Sequence, residues 1–326
     1  MNQPVVTLFD NKITEIYHSP IDYRPNNIFF CLDNIIRSNV YMKYEAGNFS
    51  GSIKLKPALR MIEALEKENK INRDTVIVES SSGNLGIALS LIAASKGYKF
   101  LCVTDAMASR QSINLMKSYG AEVVVITERD ENGGFLKKRI EYINSYLQNN
   151  HNCVWLNQYA NPNNYLAHYY STAKELLDSF YHIDYLFVGA GTTGTLMGCV
   201  KYFEEFSPKT TIVAVDNKGS VTFGLPPGKR NIPGLGTSRV PEILQTDKVS
   251  NLEIVSDQET IAMCREMVKR GYLVGGSTGT ILAAIKRWKD VIEPHETVVM
   301  IAPDSGEKYI DTIYNDEWCE GIKDQH

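Results

Sequence analysis

The chain has 326 residues, with 34 Lys and Arg against 38 Asp and Glu, which gives a formal net charge of −4. Hydrophobic residues make up 43% and charged residues 22%, an ordinary globular composition that excludes a disordered, collagen-like or coiled-coil chain. The acidic balance provides no basic field for a phosphate backbone, so we expect no nucleic acid partner.

The amino-terminal segment lacks the pattern of a secretion signal. Asp10 and Glu15 interrupt any apolar stretch, and no basic region precedes one. No apolar run approaches the ~20 residues of a membrane-spanning helix. The six cysteines are far apart and form no C-x-x-C pair, which predicts free thiols in a reducing compartment and no metal site. We therefore expect a cytoplasmic protein without membrane contact.

Short apolar runs alternate with amphipathic stretches along the chain, a pattern typical of parallel α/β construction. Strands are predicted at residues 27–31, 40–45, 75–79, 100–104, 122–126, 185–188, 211–215 and 297–301. Helices are predicted at residues 58–70, 86–96, 113–119, 135–147 and 280–289. The length is about twice that of a ~150-residue domain, so two lobes are expected.

Lys54 differs from the other basic residues by its context, NFSGSIK, shortly before Pro57. Proline disfavours helical geometry at the preceding residue, so the first helix is predicted to begin at Pro57 with Lys54 on the turn before it. A solvated surface charge is the alternative for any single lysine.

Three glycine-containing loops each follow a predicted strand and open a predicted helix: ESSSGNLG (79–86), GAGTTGT (189–195) and GGSTG (275–279). Backbone N–H groups and the helix dipole can hold an anion at such a position. A plain helix cap is the alternative for the first and third loops. The second matches G-x-G-x-x-G, with Asp216 ending a later strand, so dinucleotide binding is its alternative. Thr192 and Thr193 at its centre favour a compact phosphomonoester.

The least regular segment spans residues 218–239 and contains five glycines and three prolines. A stretch of this length without periodicity is more often functional than a plain connector inside a compact α/β protein. We therefore expect it to contribute to a site.

Taken in order, several segments resemble the fold-type II pyridoxal phosphate enzymes of the cysteine synthase family. They are NFSGSIK, ESSSGNLGIAL, LMKSYGAEVV, NQYANPNN, GAGTTGTLMG, PGLGTSRVP, GGSTGTILAA and IAPDSGEKY. The resemblance implies an α/β, tryptophan synthase β-like fold of two lobes, each a twisted, mostly parallel sheet flanked by helices. A smaller mobile lobe of residues 40–147 would carry the loop for the substrate carboxylate. A larger lobe of residues 1–39 and 148–326 would hold the cofactor, and a homodimer is expected on the same ground.

The resemblance also assigns the site residues. Lys54 would hold pyridoxal 5′-phosphate as a Schiff base and remove the α-proton of the substrate. Asn84 would bond the cofactor's 3′ oxygen and Ser277 would face the pyridine nitrogen. The cofactor's phosphate would lie on Gly191, Thr192, Thr193, Gly194 and Thr195. The carboxylates and other polar groups of the substrates would be bound by Ser81, Ser82, Gly83, Asn84, Gln158, Tyr159, Arg139 and Arg239.

Within this family, VDNKGSVTFG, PGLGTSRVPEIL and the NGGF segment (132–135) before Arg139 resemble the N-(2-amino-2-carboxyethyl)-L-glutamate synthases. The implied reaction is a β-replacement through an aminoacrylate. O-phospho-L-serine loses its leaving group and the amine of L-glutamate adds, which yields a 2,3-diaminopropionate precursor for siderophores or antibiotics.

Two other interpretations stay open. A cysteine synthase would use sulfide or another small nucleophile, and it is favoured by Gly191, where the glutamate-using enzymes are expected to carry serine. A non-catalytic descendant would bind cofactor without turnover, but the presence of Lys54, Asn84 and Ser277 together argues against it.

Overall fold

The computed structural model describes residues 5–9, 12–32, 35–36, 38–131 and 134–323. Residues 132 and 133, which open the NGGF segment, lie outside these ranges. The strands are β1 (Val5–Phe9), β2 (Lys12–Ile16), β3 (Phe29–Cys31), β4 (Asn39–Tyr44), β5 (Val76–Ser80), β6 (Lys99–Asp105), β7 (Glu122–Ile126), β8 (Cys153–Trp155), β9 (Tyr185–Gly189), β10 (Thr211–Asn217), β11 (Asn251–Val255) and β12 (Thr297–Ala302).

The helices alternate with these strands along most of the chain. They are α1 (Leu55–Lys67), α2 (Asn84–Lys96), α3 (Arg110–Ser118), α4 (Leu136–Asn149), α5 (Pro162–His168), α6 (Lys174–Ser179), α7 (Gly194–Phe206), α8 (Asp257–Lys269), α9 (Gly276–Arg287) and α10 (Asp316–Lys323). A π-helical turn (Tyr169–Ala173) joins α5 to α6. Within the described ranges, no helix combines the length and apolar character needed to cross a bilayer.

Two sheets confirm the predicted α/β class. The larger has the strand order β11-β10-β9-β12-β4-β3, parallel except for β3, which is antiparallel to β4. The smaller has the order β7-β6-β5-β8 and is parallel throughout. Strands β1 and β2 form a separate antiparallel pair. Every predicted strand is present, with ends shifted by at most two residues.

The sheets refine the proposed boundaries of the two lobes. Strand β4 falls inside the 40–147 segment expected for the smaller lobe, but it pairs with β12 in the larger sheet. Strand β8 falls outside that segment, yet it pairs with β5 in the smaller sheet. A boundary drawn at Val40 and Leu147 therefore does not follow the hydrogen bonding, and a smaller lobe built around β5 to β8 does.

The central helices of both lobes are apolar on every side. All residues of α2 from Leu85 to Ala93 are buried, and so are those of α9 from Gly276 to Ile285. Such helices lack the polar face of a surface helix because protein covers them all round. The N-terminus of α9 therefore lies inside the molecule and that of α2 is partly buried, and the backbone N–H groups of both first turns need partners.

Helix α1 begins earlier than predicted. Its first residue is Leu55 and Lys54 is its N-cap, so Pro57 lies within the first turn. That position tolerates proline, because the first N–H groups of a helix have no intrahelical acceptor in any case. The 218–239 segment carries no helix or strand, as its composition predicts.

Candidate active site

Lys54 lies at the N-terminus of α1 and points toward the second glycine loop. Its Nζ donates a hydrogen bond to Thr192 Oγ1 at 3.4 Å. Burial lowers the pKa of Lys54 to about 8, although the nearby Glu79 carboxylate acts to raise it. A lysine with a lowered pKa supplies a neutral amine near neutral pH, as a nucleophile or general base requires.

The second loop leads into α7 with an unusual backbone. Thr193 is the N-cap of α7 and has a φ of 63°, a left-handed conformation that is uncommon for a residue other than glycine. Its Oγ1 is buried and has no hydrogen-bond partner among the described residues. A strained backbone and an unpaired hydroxyl at a helix N-terminus are consistent with a site for an anion that supplies the missing contacts.

Asn164 connects this loop to the segment that contains Gln158. It is 1% exposed, and its Nδ2 donates to Gln158 O at 2.7 Å and to Thr192 Oγ1 at 3.1 Å. A Cβ at Gly194 would lie 2.0 Å from Asn164 Oδ1, closer than any real contact. Glycine at 194 is therefore required for Asn164 to reach both partners.

Ser277 lies against the irregular 218–239 segment. It is buried in the first turn of α9, and a Cβ at Gly234 would lie 2.4 Å from its Oγ. A Cβ at Gly191 would in turn lie 3.0 Å from the carbonyl oxygen of Gly234. These close approaches bring the N-termini of α7 and α9 together around one backbone segment, so the 218–239 stretch lies between two of the predicted site loops.

Asn84, the first residue of α2, is held by the segment after β12. Its Nδ2 donates to Asp304 Oδ2 at 2.8 Å, and Lys308 Nζ donates to its Oδ1. Tyr309 OH also donates to Asp304 Oδ2, at 2.9 Å. Burial raises the pKa of Asp304 and lowers that of Lys308. These contacts fix the side chain of Asn84 between the two sheets.

The first loop and Gln158 are joined through Glu79. Glu79 Oε1 accepts from the Ser80 N–H at 2.7 Å, and Oε2 accepts from the Gln158 N–H at 3.2 Å. Burial raises the pKa of Glu79 to about 7. Ser81 Oγ accepts from the N–H groups of Gly83 and Gly86 inside its own loop, whereas Ser82 is exposed.

Tyr159 packs against one guanidinium group and is influenced by the charges of two others. The Arg239 guanidinium carbon is 4.9 Å from the centre of the Tyr159 ring, and Arg239 also pairs with Glu242. Arg139 is buried, with Nη1 3.4 Å from Asp105 Oδ2 and Nε unpaired among the described residues. Burial raises the pKa of Tyr159 while the charges of Arg139, Arg239 and Arg230 act to lower it.

The residues present fit pyridoxal phosphate. Thr193 offers an unpaired buried hydroxyl at a helix N-terminus for the phosphate, and Lys54 Nζ is within reach of the same loop. Ser277 approaches Gly234, which in turn lies against Gly191 of that loop, and Asn84 is held by Asp304 after β12, so both are available to a cofactor ring.

Sequence reasoning missed Asn164, Asp304, Glu79 and Arg230. Asn164 follows an Asn-Pro helix start in which Asn161 caps α5, a signal that predicts the helix but not the inward amide. Arg230 donates to the carbonyl oxygens of Gly219 and Thr237, so it braces the irregular segment. No local pattern distinguishes such residues from surface polar groups.

Comparison with known proteins agrees with this geometry. Residues 29–304 match the profile of the family described as pyridoxal-phosphate dependent enzyme. A hydrogen sulfide-producing enzyme from Fusobacterium nucleatum superposes with a TM-score of 0.85 at 31% identity, over 91% of this chain and 99% of its own. An O-acetylserine dependent cystathionine β-synthase from Helicobacter pylori gives a TM-score of 0.85 at 27% identity, over 93% and 100%. An O-ureido-L-serine synthase gives 0.85 at 25% identity, over 94% and 99%.

Proposed function

The chain belongs to the family of pyridoxal-phosphate dependent enzymes, as a synthase of the β-substituted alanine type, and we propose that it joins O-phospho-L-serine to L-glutamate. The product would be N-(2-amino-2-carboxyethyl)-L-glutamate, formed by β-replacement. The observation that carries this proposal is the Arg239 guanidinium carbon 4.9 Å from the centre of the Tyr159 ring, with the charge of Arg139 also acting on the Tyr159 hydroxyl, in a protein of net charge −4. Guanidinium groups bind carboxylate and phosphate strongly, and both substrates are acidic.

Each residue of the site has a task in this reaction. When bound, pyridoxal phosphate supplies an electron sink for the carbon that loses its proton. Lys54, with its lowered pKa, removes that proton, and the loop from Gly191 to Thr195 holds the phosphate. Ser277 offers a neutral hydroxyl to the pyridine nitrogen. Ser81, Ser82, Gly83 and Gln158 bind the substrate carboxylate at the N-terminus of α2.

Sulfide is the second candidate for the nucleophile. Gly191 leaves the start of the phosphate loop without a side chain, as in the cysteine synthases that the sequence resembles. The similarity at 31% identity to a hydrogen sulfide-producing enzyme supports sulfur chemistry at the same site. The two candidate reactions use the same amino acid donor and the same cofactor, and they differ only in the nucleophile, L-glutamate or sulfide.

The deciding experiment supplies O-phospho-L-serine with L-glutamate, with sulfide, or with neither, and identifies the products by mass. We expect the glutamate adduct, carrying the label when ¹⁵N-glutamate is used. Arg239→Gln should raise the KM for glutamate and leave the use of sulfide unchanged, whereas Arg287→Gln, away from the site, should change neither. Cysteine formation without any glutamate adduct would refute the glutamate reaction in favour of sulfide.

The same proposal includes the setting of the reaction. The product would feed 2,3-diaminopropionate synthesis for a siderophore or antibiotic in the cytoplasm, and the enzyme would act as a homodimer. Binding of the substrate carboxylate would close the smaller lobe over the site and exclude water, which would otherwise hydrolyse the reactive species. Light scattering tests the dimer, and scattering profiles with and without substrate test the closure.

A further inference from the structure

His168 lies directly behind the phosphate loop and has no role in the chemistry above. It ends α5, is fully buried, and packs against α7 at a glycine. A Cβ at Gly198 would lie 2.6 Å from the Cβ of His168, so only glycine lets the two helices approach this closely. The π-helical turn (Tyr169–Ala173) follows at once, and π-turns within helices often occur at functional sites.

Both ring nitrogens of His168 have hydroxyl partners. Nε2 is 3.3 Å from Thr195 Oγ1, in the loop that would hold the cofactor's phosphate. Nδ1 is 3.0 Å from Thr172 Oγ1, in the π-helical turn. A neutral imidazole donates from one nitrogen and accepts at the other, so the two contacts must run in one direction. The question is which hydroxyl donates.

Lys56 determines the direction of these hydrogen bonds through its contact with Thr172. Its Nζ donates to Thr172 Oγ1 at 3.3 Å, to Glu45 Oε1 at 2.8 Å and to Glu175 Oε2 at 2.7 Å, which uses all three of its protons. The two carboxylates raise the pKa of Lys56, so it remains an ammonium group that only donates. Lys43 pairs with the same carboxylates, which balances the buried charges.

The imidazole itself remains neutral. Burial holds the pKa of His168 well below its ordinary value, and the charges of Lys56 and Lys54 act in the same direction. Thr172 Oγ1 accepts from Lys56, and within the described part of the chain His168 Nδ1 is the acceptor that this hydroxyl contacts, so its buried O–H is satisfied by donating to Nδ1. That leaves the ring proton on Nε2, facing Thr195.

We propose that His168 is a positioning residue, held as the Nε2–H tautomer, which donates to Thr195 Oγ1. A hydroxyl that already accepts from His168 turns its own proton outward, so Thr195 becomes a donor to a phosphate oxygen. The hydrogen bonds then run in one direction from Lys56 through Thr172, His168 and Thr195 to the anion. This proposal goes beyond the proposed function and holds for either nucleophile, because it concerns only how the protein binds the phosphate of the cofactor.

The tautomer can be read directly by ¹⁵N NMR of the full-length protein labelled at histidine, with and without pyridoxal phosphate. His168→Gln identifies the signal. We expect Nε2 to be protonated and Nδ1 unprotonated in both states. A protonated Nδ1 in the unaltered protein would overturn the proposal.

Variants of Thr172 test the transmission to the loop. Thr172→Val removes the donor to Nδ1, so the NMR signals should show a mixture of the Nε2–H and Nδ1–H tautomers of His168. Pyridoxal phosphate should bind about three- to tenfold more weakly to this variant. Thr172→Ser restores the hydroxyl and should restore both properties. Ser171→Ala, in the same turn, removes a hydroxyl whose partner among the described residues is Ala167 O, and it should change neither property. A Thr172→Val protein with unchanged tautomer and unchanged affinity would refute the inference.

Discussion

Replacing Glu79 with glutamine should change how the stability of the protein depends on pH. Glu79 is fully buried at the end of β5, with the N–H groups of Ser80 and Gln158 as partners. Burial raises its pKa from 4.5 to about 7. Because the folded state holds this proton more tightly than the unfolded chain, the resulting stabilisation is complete below pH 4.5 and is lost as the pH rises through 7.

The shift in pKa sets the size of the effect. Moving from 4.5 to about 7 corresponds to about 3 kcal/mol, of which about 2.5 kcal/mol falls between pH 5 and pH 8. Glu79→Gln carries no titrating group and should not lose that amount. Relative to the unaltered protein, the variant should therefore be about 2.5 kcal/mol more stable at pH 8 than at pH 5, whatever its absolute stability.

Urea unfolding of the cofactor-free protein at the two pH values measures this double difference, because ligand binding then adds no pH dependence. Glu68→Gln, which removes an exposed carboxylate at the end of α1, should show no such difference. Parallel pH profiles for Glu79→Gln and the unaltered protein would show that the Glu79 carboxylate is not desolvated in the folded state and would refute the prediction.

Three further predictions concern the site. The rate at which the cofactor-free protein takes up pyridoxal phosphate should rise as the pH passes through about 8, the pKa of Lys54, and Glu79→Gln should lower that midpoint because the Glu79 carboxylate acts to raise the lysine pKa. Gly194→Ala should weaken cofactor binding at least ~10-fold in a fluorescence titration, because its Cβ would lie 2.0 Å from an amide oxygen, whereas Gly321→Ala, with no neighbour within 4 Å, should have no effect. Asp304→Ala should destabilise the protein by about 3 kcal/mol in thermal unfolding, because Asn84 Nδ2 and Tyr309 OH lose their common acceptor. Asp304→Asn keeps an acceptor oxygen and should lose less than half as much stability. Equal losses for the two variants would contradict this prediction.

Elements with long, periodic patterns can be predicted from the sequence. Short strands whose existence depends on the strand they pair with cannot. Strand β4 and helix α1 have clear patterns and lie where expected, apart from the early start of α1. Strand β8 is three residues long and exists because it pairs with β5, which its own residues do not signal. Strand β11 similarly depends on β10.

The candidate site divides in the same way. Lys54 and the glycine loops stand out because their chemistry and spacing are local. Asp304 acts through Asn84, more than a hundred residues away in the sequence, and Asn164 acts through a side-chain amide that points inward to Thr192. A polar residue in a sequence does not reveal which way its side chain points. The π-helical turn that places Thr172 beside His168 depends on how α5 packs against α7, so packing and not propensity positions it.

The pairing of β4 with β12 bears on the order in which the protein can assemble. It aligns Asn39 with Thr297, so the strand that leads to Lys54 pairs early with β3 on one side but finds its parallel neighbour only near the end of the chain. Strands β5 to β8 all lie between residues 76 and 155 and can complete their sheet as soon as that stretch leaves the ribosome. Long-range pairing forms slowly, because chain closure must precede the contacts that reward it. The newly made chain can thus form the loop of residues 79–86 early and complete the surroundings of Lys54 last, and a chain truncated before residue 297 would contain Lys54 without the parallel neighbour of the strand that leads to it.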